Sequence, residues 1–338
     1  ILNTKNIFAY SFYLAYRSWQ HQVYKKALAL CAEHRFDLIH FVNPIGYREP
    51  GYLWKIDLPY VWGPIGGTVN VPEALWPSLS GTGMIKLRFR AMVNQMQLKY
   101  NPRVKRALKN TDLLMSATSE NQINIFRYFG KESKVLPENG IPDAWLYNLP
   151  AADIVVKDSL TAVWIGSVDE RKALITLLKA IQGIKKPEKF RLLVIGEGYL
   201  RPSLMQYAES VGISQCISWV GNVGRDEVMQ YIRSSDLLII TSVSEGNPTT
   251  VWEVMAQSIP VLTVDHCGMH DSINEMNGIK IPLKTYDQVV HDFRTAIDDL
   301  TDHPEKVAAL KRSTGKQLTH YLWSTRMQLL NTYYEEAI

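Results

Sequence analysis

The sequence predicts an α/β protein built from two parallel-sheet domains, and three observations carry that reading. Short apolar, β-rich runs alternate with longer amphipathic segments along the chain, the pattern of strands joined by crossover helices. The runs are continuous in Val, Ile and Leu rather than alternating, as expected of strands covered on both faces. With 338 residues, 46% of them hydrophobic, the chain exceeds what one core usually holds. The runs fall into two series. In the first, residues 22–33 read as helix, and 38–42, 60–62 and 113–117 as strands. In the second, residues 162–165, 192–195, 217–220, 237–240 and 261–264 read as strands, each followed by a loop and a helical pattern. Between the series, residues 136–153 carry Pro137, Gly140, Pro142 and Pro150, which interrupt regular structure and suit a linker. The expected domains are therefore 1–147 and 148–320, followed by a terminal helix over 321–338.

Composition narrows the function classes. Lys and Arg number 37 against 33 Asp and Glu, and a net charge of +4 is too small to argue for a nucleic-acid partner. Cys31, Cys216 and Cys267 are widely spaced with no CxxC pair, so neither a disulfide framework nor a structural zinc site is indicated, and a cytoplasmic setting fits. Lys5 and Arg17 bracket an apolar run too short to span a bilayer, and no small-residue cleavage site follows it. The sequence does not open on methionine. The usual first strand and Gly-rich loop of such a domain are not found ahead of Gln22, so that strand is expected upstream.

The most informative stretch runs from Ser242 to Ala256, after a buried strand and into a helix. Gly246 and Asn247 supply the bend, and Pro248 suits the first helical turn. A helix start leaves backbone N–H groups unpaired and carries partial positive charge, so the amides of Thr249, Thr250 and Val251 are placed to hold a diphosphate. Glu245 sits in the loop, and Glu253 lies about one and a half turns into the helix. Two isolated carboxylates would ordinarily be unremarkable surface groups; their placement around a strand, turn and helix makes them candidates.

Glu245 and Glu253, with seven residues between them, resemble the E-x7-E motif of the retaining glycosyltransferases of family 4. The resemblance extends across the second half. Trp164-Ile-Gly166-Ser-Val-Asp-Glu-Arg171-Lys172 is similar to the family's first strand and loop of the nucleotide domain. Leu193-Val-Ile-Gly196-Glu-Gly198 is similar to the next strand and turn, and Trp219-Val-Gly221-Asn-Val223 to the strand whose end receives the base. In the first half, Phe36-Asp-Leu-Ile-His40 and the segment from Pro59 to Gly67, with Gly66 and Gly67 in its cleft-facing loop, resemble the family less tightly.

The resemblance implies a GT-B fold, two Rossmann-like domains facing across a cleft, with the terminal helix crossing back to the first. It implies that Glu245 binds the donor sugar, Glu253 the ribose, and Lys172, with Arg171 beside it, the donor diphosphate. That cation would stabilise the leaving group, so neither a metal nor a cofactor is expected and the donor is a UDP- or GDP-linked sugar. Ser167 stands after Gly166 where the family usually has Arg, so either the positive clamp is weaker or Arg171 substitutes. Between His40 and His266 there is no histidine, so the family's donor-contacting histidine has no evident counterpart; His40 itself reads as a core histidine.

Other segments have weaker readings. The loop from Asn43 to Gly51 offers Arg48 and Glu49 to an acceptor. From Gly81 to Thr111 there is no Asp or Glu, while Lys86, Arg88, Arg90, Lys99, Arg103, Lys105, Arg106 and Lys109 mix with Met84, Leu87, Phe89, Met92 and Met96. A basic amphipathic helix of this kind suits peripheral contact with an anionic membrane, on the inner face of the plasma membrane. The run from Asp265 to Asp271 matches no zinc spacing. The expected function is hexose transfer to a glycan or lipid-linked glycan in bacterial surface or exopolysaccharide synthesis. The alternatives are a GT-B epimerase or phosphorylase, a non-catalytic nucleotide-sugar binder, and a nicotinamide oxidoreductase. The last lacks a G-x-G-x-x-G turn, since Gly196-Glu-Gly198 has no third glycine in place.

Overall fold

A computed structural model describes residues 9–42, 46–148 and 156–338. Residues 43–45 of the acceptor-loop reading, residues 149–155 of the linker and residues 1–8 lie outside the described residues. The chain divides into two compact units. Unit 1 comprises residues 1–69, 92–138 and 327–338, and unit 2 comprises residues 70–91 and 139–326.

Unit 1 is built on a four-stranded parallel sheet of order β1-β2-β3-β4, with β1 at Ile39–Phe41, β2 at Tyr60–Ile65, β3 at Leu113–Ser116 and β4 at Lys134–Val135. Helix α1 (Ala9–Glu33) precedes it, α2 (Gly81–Tyr100, in this unit from Met92 on) and α3 (Pro102–Lys109) lie in sequence between β2 and β3, and α4 (Ser119–Phe129) precedes β4. The boundaries of α3 and α4 have local causes. The Asn101 side chain caps α3 by accepting from the N–H groups of Arg103 and Val104, with Pro102 in the first turn. Thr118 caps α4, which stops at Gly130 in the left-handed conformation. One side of the sheet buries Phe41, Tyr60, Trp62 and Leu114 against α2 to α4. On the other, Val61, Leu113 and Met115 meet Leu330, Tyr333 and Tyr334 of the last helix.

Unit 2 carries six parallel strands in the order β10-β9-β8-β5-β6-β7. They are β5 (Leu160–Ile165), β6 (Phe190–Ile195), β7 (Ile217–Gly221), β8 (Leu237–Ile240), β9 (Val261–Val264) and β10 (Gly278–Ile281). The helices are α5 (Leu174–Ile181), α6 (Arg201–Ser210), α7 (Arg225–Ser234), α8 (Thr249–Met255), α9 (Gly268–Ser272), α10 (Tyr286–Asp302) and α11 (Pro304–Gln317), and the last helix, α12 (Trp323–Ala337), belongs to unit 1 from Met327 on. The sheet is covered on both faces. Leu160, Ala162 and Trp164 of β5 enter one core with α5 and α10, while Val163 enters the other with α8, following the two-residue period of a strand. The chain leaves β5 toward β7 in one direction and resumes at β8 in the other, so the sheet reverses between β5 and β8. Ligands of open parallel sheets bind at such a switch point, outside the carboxyl ends of the strands.

Every strand read from the sequence is present. The differences are instructive. Helix α1 begins at Ala9 rather than near Gln22. Strand β2 runs on to Ile65 through Gly63 and Pro64, with a register shift against β3. The short edge strands β4 and β10 have few apolar residues of their own and were not expected. Among the described residues no helix is long and apolar enough to cross a membrane.

Candidate functional site

At the switch point of unit 2, the loops after β5 and β8 bring three predicted residues together. Lys172 Nζ and Arg171 Nη1 each lie 2.5 Å from the same oxygen, Oε1 of Glu245. Lys172 and Glu245 are largely buried, with side chains 14% and 10% exposed, whereas that of Arg171 is 50% exposed. The geometry is imposed by the backbone. The Val243 N–H donates to the Arg171 carbonyl at 2.8 Å, and the Thr241 hydroxyl donates to the Lys172 carbonyl at 2.9 Å. Thr241 is itself held by the Trp164 indole N–H. A Cβ on Gly166 would meet the Lys172 stem at 3.0 Å, so the absence of a side chain there gives the lysine its path. The Gly268 N–H donates to the Glu245 carbonyl, and a Cβ on Gly268 would overlap the Gly246 carbonyl, so the loop after β9 fixes the one after β8.

The remaining donor-side residues divide into available and occupied groups. The helix opens at Thr249 with Pro248 as its cap, one position earlier in the helix scheme than the sequence suggested. Thr249 and Thr250 are the first helical residues, whose N–H groups no preceding turn accepts. The Val251 N–H, in contrast, donates to the Pro248 carbonyl, and the residue is buried. Gly246 is exposed. The Asn247 side chain accepts from the Trp252 indole at 2.6 Å and donates to the Asn139 carbonyl, which makes it a brace for the turn. Gly196 ends β6, its N–H donating to the Gly221 carbonyl at the end of β7, and Val223 follows in the next loop.

Glu253 lies on the side of α8 opposite the buried Trp252, Val254 and Met255, and Arg225 Nη2 approaches its Oε1 at 2.8 Å. Sequence reasoning missed Arg225, because an arginine opening a helix carries no spacing signal. Its guanidinium also lies 6.0 Å from the centre of the Trp145 ring. The cluster from Asp265 to Asp271 is internally paired, His270 Nδ1 with Asp265 at 2.7 Å and His266 Nε2 with Cys267 Sγ at 3.0 Å.

In unit 1 the predicted residues hold a loop together. Arg48 Nε donates to Gln97 Oε1 at 2.7 Å, and its Nη2 donates to the Gly67 carbonyl at 3.2 Å and to Asn94 Oδ1. Glu49, 2% exposed, is bound by Arg17 at 2.7 Å and by Arg103 at 3.0 Å. Gly67 is exposed and in the left-handed region, φ +84°, while the Gly66 carbonyl accepts from the Tyr47 N–H. His40 is satisfied at both nitrogens. Nε2 donates to the Gly63 carbonyl at 2.8 Å, leaving Nδ1 to accept from the Tyr334 hydroxyl at 2.7 Å, and burial holds its pKa below the usual 6.5. The Glu138 carboxyl, also not singled out by the sequence, is pushed up by burial.

Residues 151–317 match the family model described as glycosyl transferases group 1. The chain is 26% identical over 241 residues to the putative teichuronic acid biosynthesis glycosyltransferase TuaC of Bacillus subtilis, covering 69% of this chain and 54% of that protein. It is 24% identical over 248 residues to the D-inositol 3-phosphate glycosyltransferase of Rhodococcus jostii, covering 66% and 52%. The chain thus spans about half the length of these relatives. Among solved structures it is similar to the lipopolysaccharide outer core galactosyltransferase WaaB in its apo form, with TM-score 0.68 at 15% identity over 94% of this chain and 80% of that one. It is similar also to WaaG, a glycosyltransferase involved in lipopolysaccharide biosynthesis, with TM-score 0.62 at 17% identity over 98% and 85%. Anabaena Alr3699/HepE in complex with UDP aligns with TM-score 0.62 at 15% identity over 94% and 82%. These likenesses show the GT-B fold.

Proposed function

We propose that the chain is a retaining glycosyltransferase that moves a hexose from a UDP- or GDP-linked sugar to a glycan or lipid-linked glycan, in bacterial surface or exopolysaccharide synthesis at the cytoplasmic face of the membrane. The observation that carries this reading is the convergence of Lys172 and Arg171 on Glu245 at the β5/β8 switch point, beside the first-turn amides of Thr249 and Thr250. It lies wholly inside the segment that matches the group 1 family, and UDP is bound in the similar HepE structure.

The chemistry follows from charge. Breaking the bond between the anomeric carbon and the diphosphate oxygen puts negative charge on the leaving group. Lys172, Arg171 and the first-turn N–H groups stabilise that charge where it develops, which requires no divalent metal. Donor binding exchanges one anion for another: the diphosphate takes the two cations, and Glu245 turns its carboxylate to the hydroxyls of the sugar. Glu253 accepts from the ribose diol. The acceptor hydroxyl attacks from the face the diphosphate leaves and gives its proton to the departing diphosphate oxygen, so the anomeric configuration is kept, and no enzyme nucleophile is assigned.

A panel of UDP- and GDP-sugars, scored by nucleotide release with and without glycan acceptors, tests the reading. One donor should turn over and its nucleotide should raise the melting temperature. Stabilisation by NADH instead, with no release from any sugar nucleotide, would transfer the chain to the oxidoreductase class.

A further inference from the structure

Arg225 stands where helix stability alone would not put it. It is the first residue of α7, with Gly224 as the cap, and a helix start carries partial positive charge that disfavours a cation. Asp226 and Glu227, which follow it in the first turn, have the sign that end favours. The Arg225 side chain is 67% exposed, and an ion pair made by a group so open to water adds little to stability. Its partner is enclosed. The Glu253 side chain is 14% exposed, on a helix that buries Val251, Trp252, Val254 and Met255. Arg225 Nη2 reaches Oε1 of that carboxylate at 2.8 Å, and the guanidinium stands 6.0 Å from the centre of the Trp145 ring, within cation–π range. Trp145 and Val223, the latter in the loop that leads into α7, pack against the same core as Val251 and Trp252. The arginine is thus restrained by the indole, and what it restrains in turn is Glu253.

We propose that Arg225 is a positioning residue of the ribose subsite: it holds the Glu253 carboxylate in the orientation that accepts from the ribose diol, and so sets the preference of the site for a ribonucleotide over its 2′-deoxy counterpart. This deepens the glycosyltransferase reading and rests on it, since that reading gives Glu253 to the ribose. The chemistry is one of acceptor capacity. An ionised carboxylate offers about four lone-pair sites on its two oxygens. The arginine N–H at Oε1 takes one of them, and the rest stay open to a pair of hydroxyls. A glutamate side chain turns about several bonds, and a ligand that had to order it would bind more weakly for doing so; the arginine orders it beforehand. A site that holds both hydroxyls in this way rejects a nucleotide lacking one, because the oriented oxygen then has no donor. Arg225 differs in this from Lys172 and Arg171. Those two leave Glu245 for the incoming diphosphate, whereas Arg225 stays on Glu253 while the ribose arrives.

The test is calorimetric titration of the parent chain, Arg225→Ala, Glu253→Ala and the double variant with UDP, GDP and the 2′-deoxy form of each. The parent should prefer the ribonucleotide it binds over its 2′-deoxy form by about tenfold, and Glu253→Ala should abolish that preference. Arg225→Ala, with its melting temperature kept because the side chain is exposed, should lower the preference to about threefold. Adding Arg225→Ala to Glu253→Ala should change nothing further, since the arginine acts through the carboxylate alone. A purely structural arginine would weaken both forms of the nucleotide equally and leave the preference intact, which overturns the proposal. So do losses that add in the double variant, and so does tighter binding of the ribonucleotide by Arg225→Ala, the sign of a blocking residue removed. In each of those outcomes the parent still binds UDP or GDP, and the donor reading stands. Binding of neither by the parent overturns both.

Discussion

Both units end parallel strands in glycine-bearing loops, yet the polar groups beside those loops have different employment. In unit 1, Arg48 ties the Gly67 carbonyl to Gln97 and Asn94, Glu49 is closed in by Arg17 and Arg103, and His40 is satisfied at both nitrogens. In unit 2, two cations converge on a single carboxylate oxygen, and one of them, Arg171, is half-exposed. A polar group locked by the fold contributes to stability, whereas a cation pair whose counter-ion can turn aside is a place for an incoming anion. The contrast teaches that a glycine loop alone does not mark a site; what marks it is whether the neighbouring charges can exchange partners.

That contrast can be broken most sharply at Glu245. Glu245→Ala should lower turnover by about a hundredfold or more, because the sugar is no longer held in position at the reacting centre, with the fold intact; normal turnover would remove Glu245 from the site. Next, Lys172→Ala should reduce kcat about a hundredfold. Arg171→Ala should reduce it about tenfold, since the more solvated cation is the more screened. Equal effects would show that burial does not rank the two. Glu253→Ala should raise the donor dissociation constant about tenfold, the value of one hydrogen bond to a charged group, with kcat kept; a kcat effect without an affinity effect would move Glu253 off the ribose.

In unit 1 the expected effects are on stability. Arg48→Ala should destabilise the fold by about 1 to 3 kcal/mol by unpairing Asn94 and Gln97, and leave donor affinity unchanged. Lost donor affinity in a folded Arg48→Ala protein would contradict the division drawn here. The smallest effect comes from His40. Its folded-state pKa lies below 6.5, so both states are neutral above that value and the fold is undiminished there. As pH falls below about 6.5 the unfolded chain takes up the proton first, and stability declines until the folded histidine titrates too. His40→Gln should flatten that part of the melting profile; an unchanged slope would assign it to other groups.

The sequence made much of this legible, for reasons that differ by region. The inner strands β5, β6, β8 and β9 declare themselves as largely apolar runs, because each is covered on two sides. Edge strands β4 and β10 do not, since Lys134-Val135 and Gly278–Ile281 owe their conformation to the neighbouring strand. Glu245, Lys172 and Arg171 could be grouped only through a family resemblance: Lys172 and Glu245 lie 73 positions apart, and only the adjacency of β5 and β8 joins them. The roles of Arg225, Asn247 and Glu49 were illegible, because a partner on another element decides whether a polar side chain braces or binds.

The central claim is that the switch point of unit 2 grips the diphosphate of a sugar nucleotide through Lys172. Calorimetric titration of the parent chain and of Lys172→Ala with UDP- and GDP-sugars tests it most directly. The account predicts that the parent binds one of these donors and that the variant, still folded, binds it at least about tenfold more weakly. Equal affinity in the two proteins, or no binding of any nucleoside-diphosphate sugar to the parent, would contradict it.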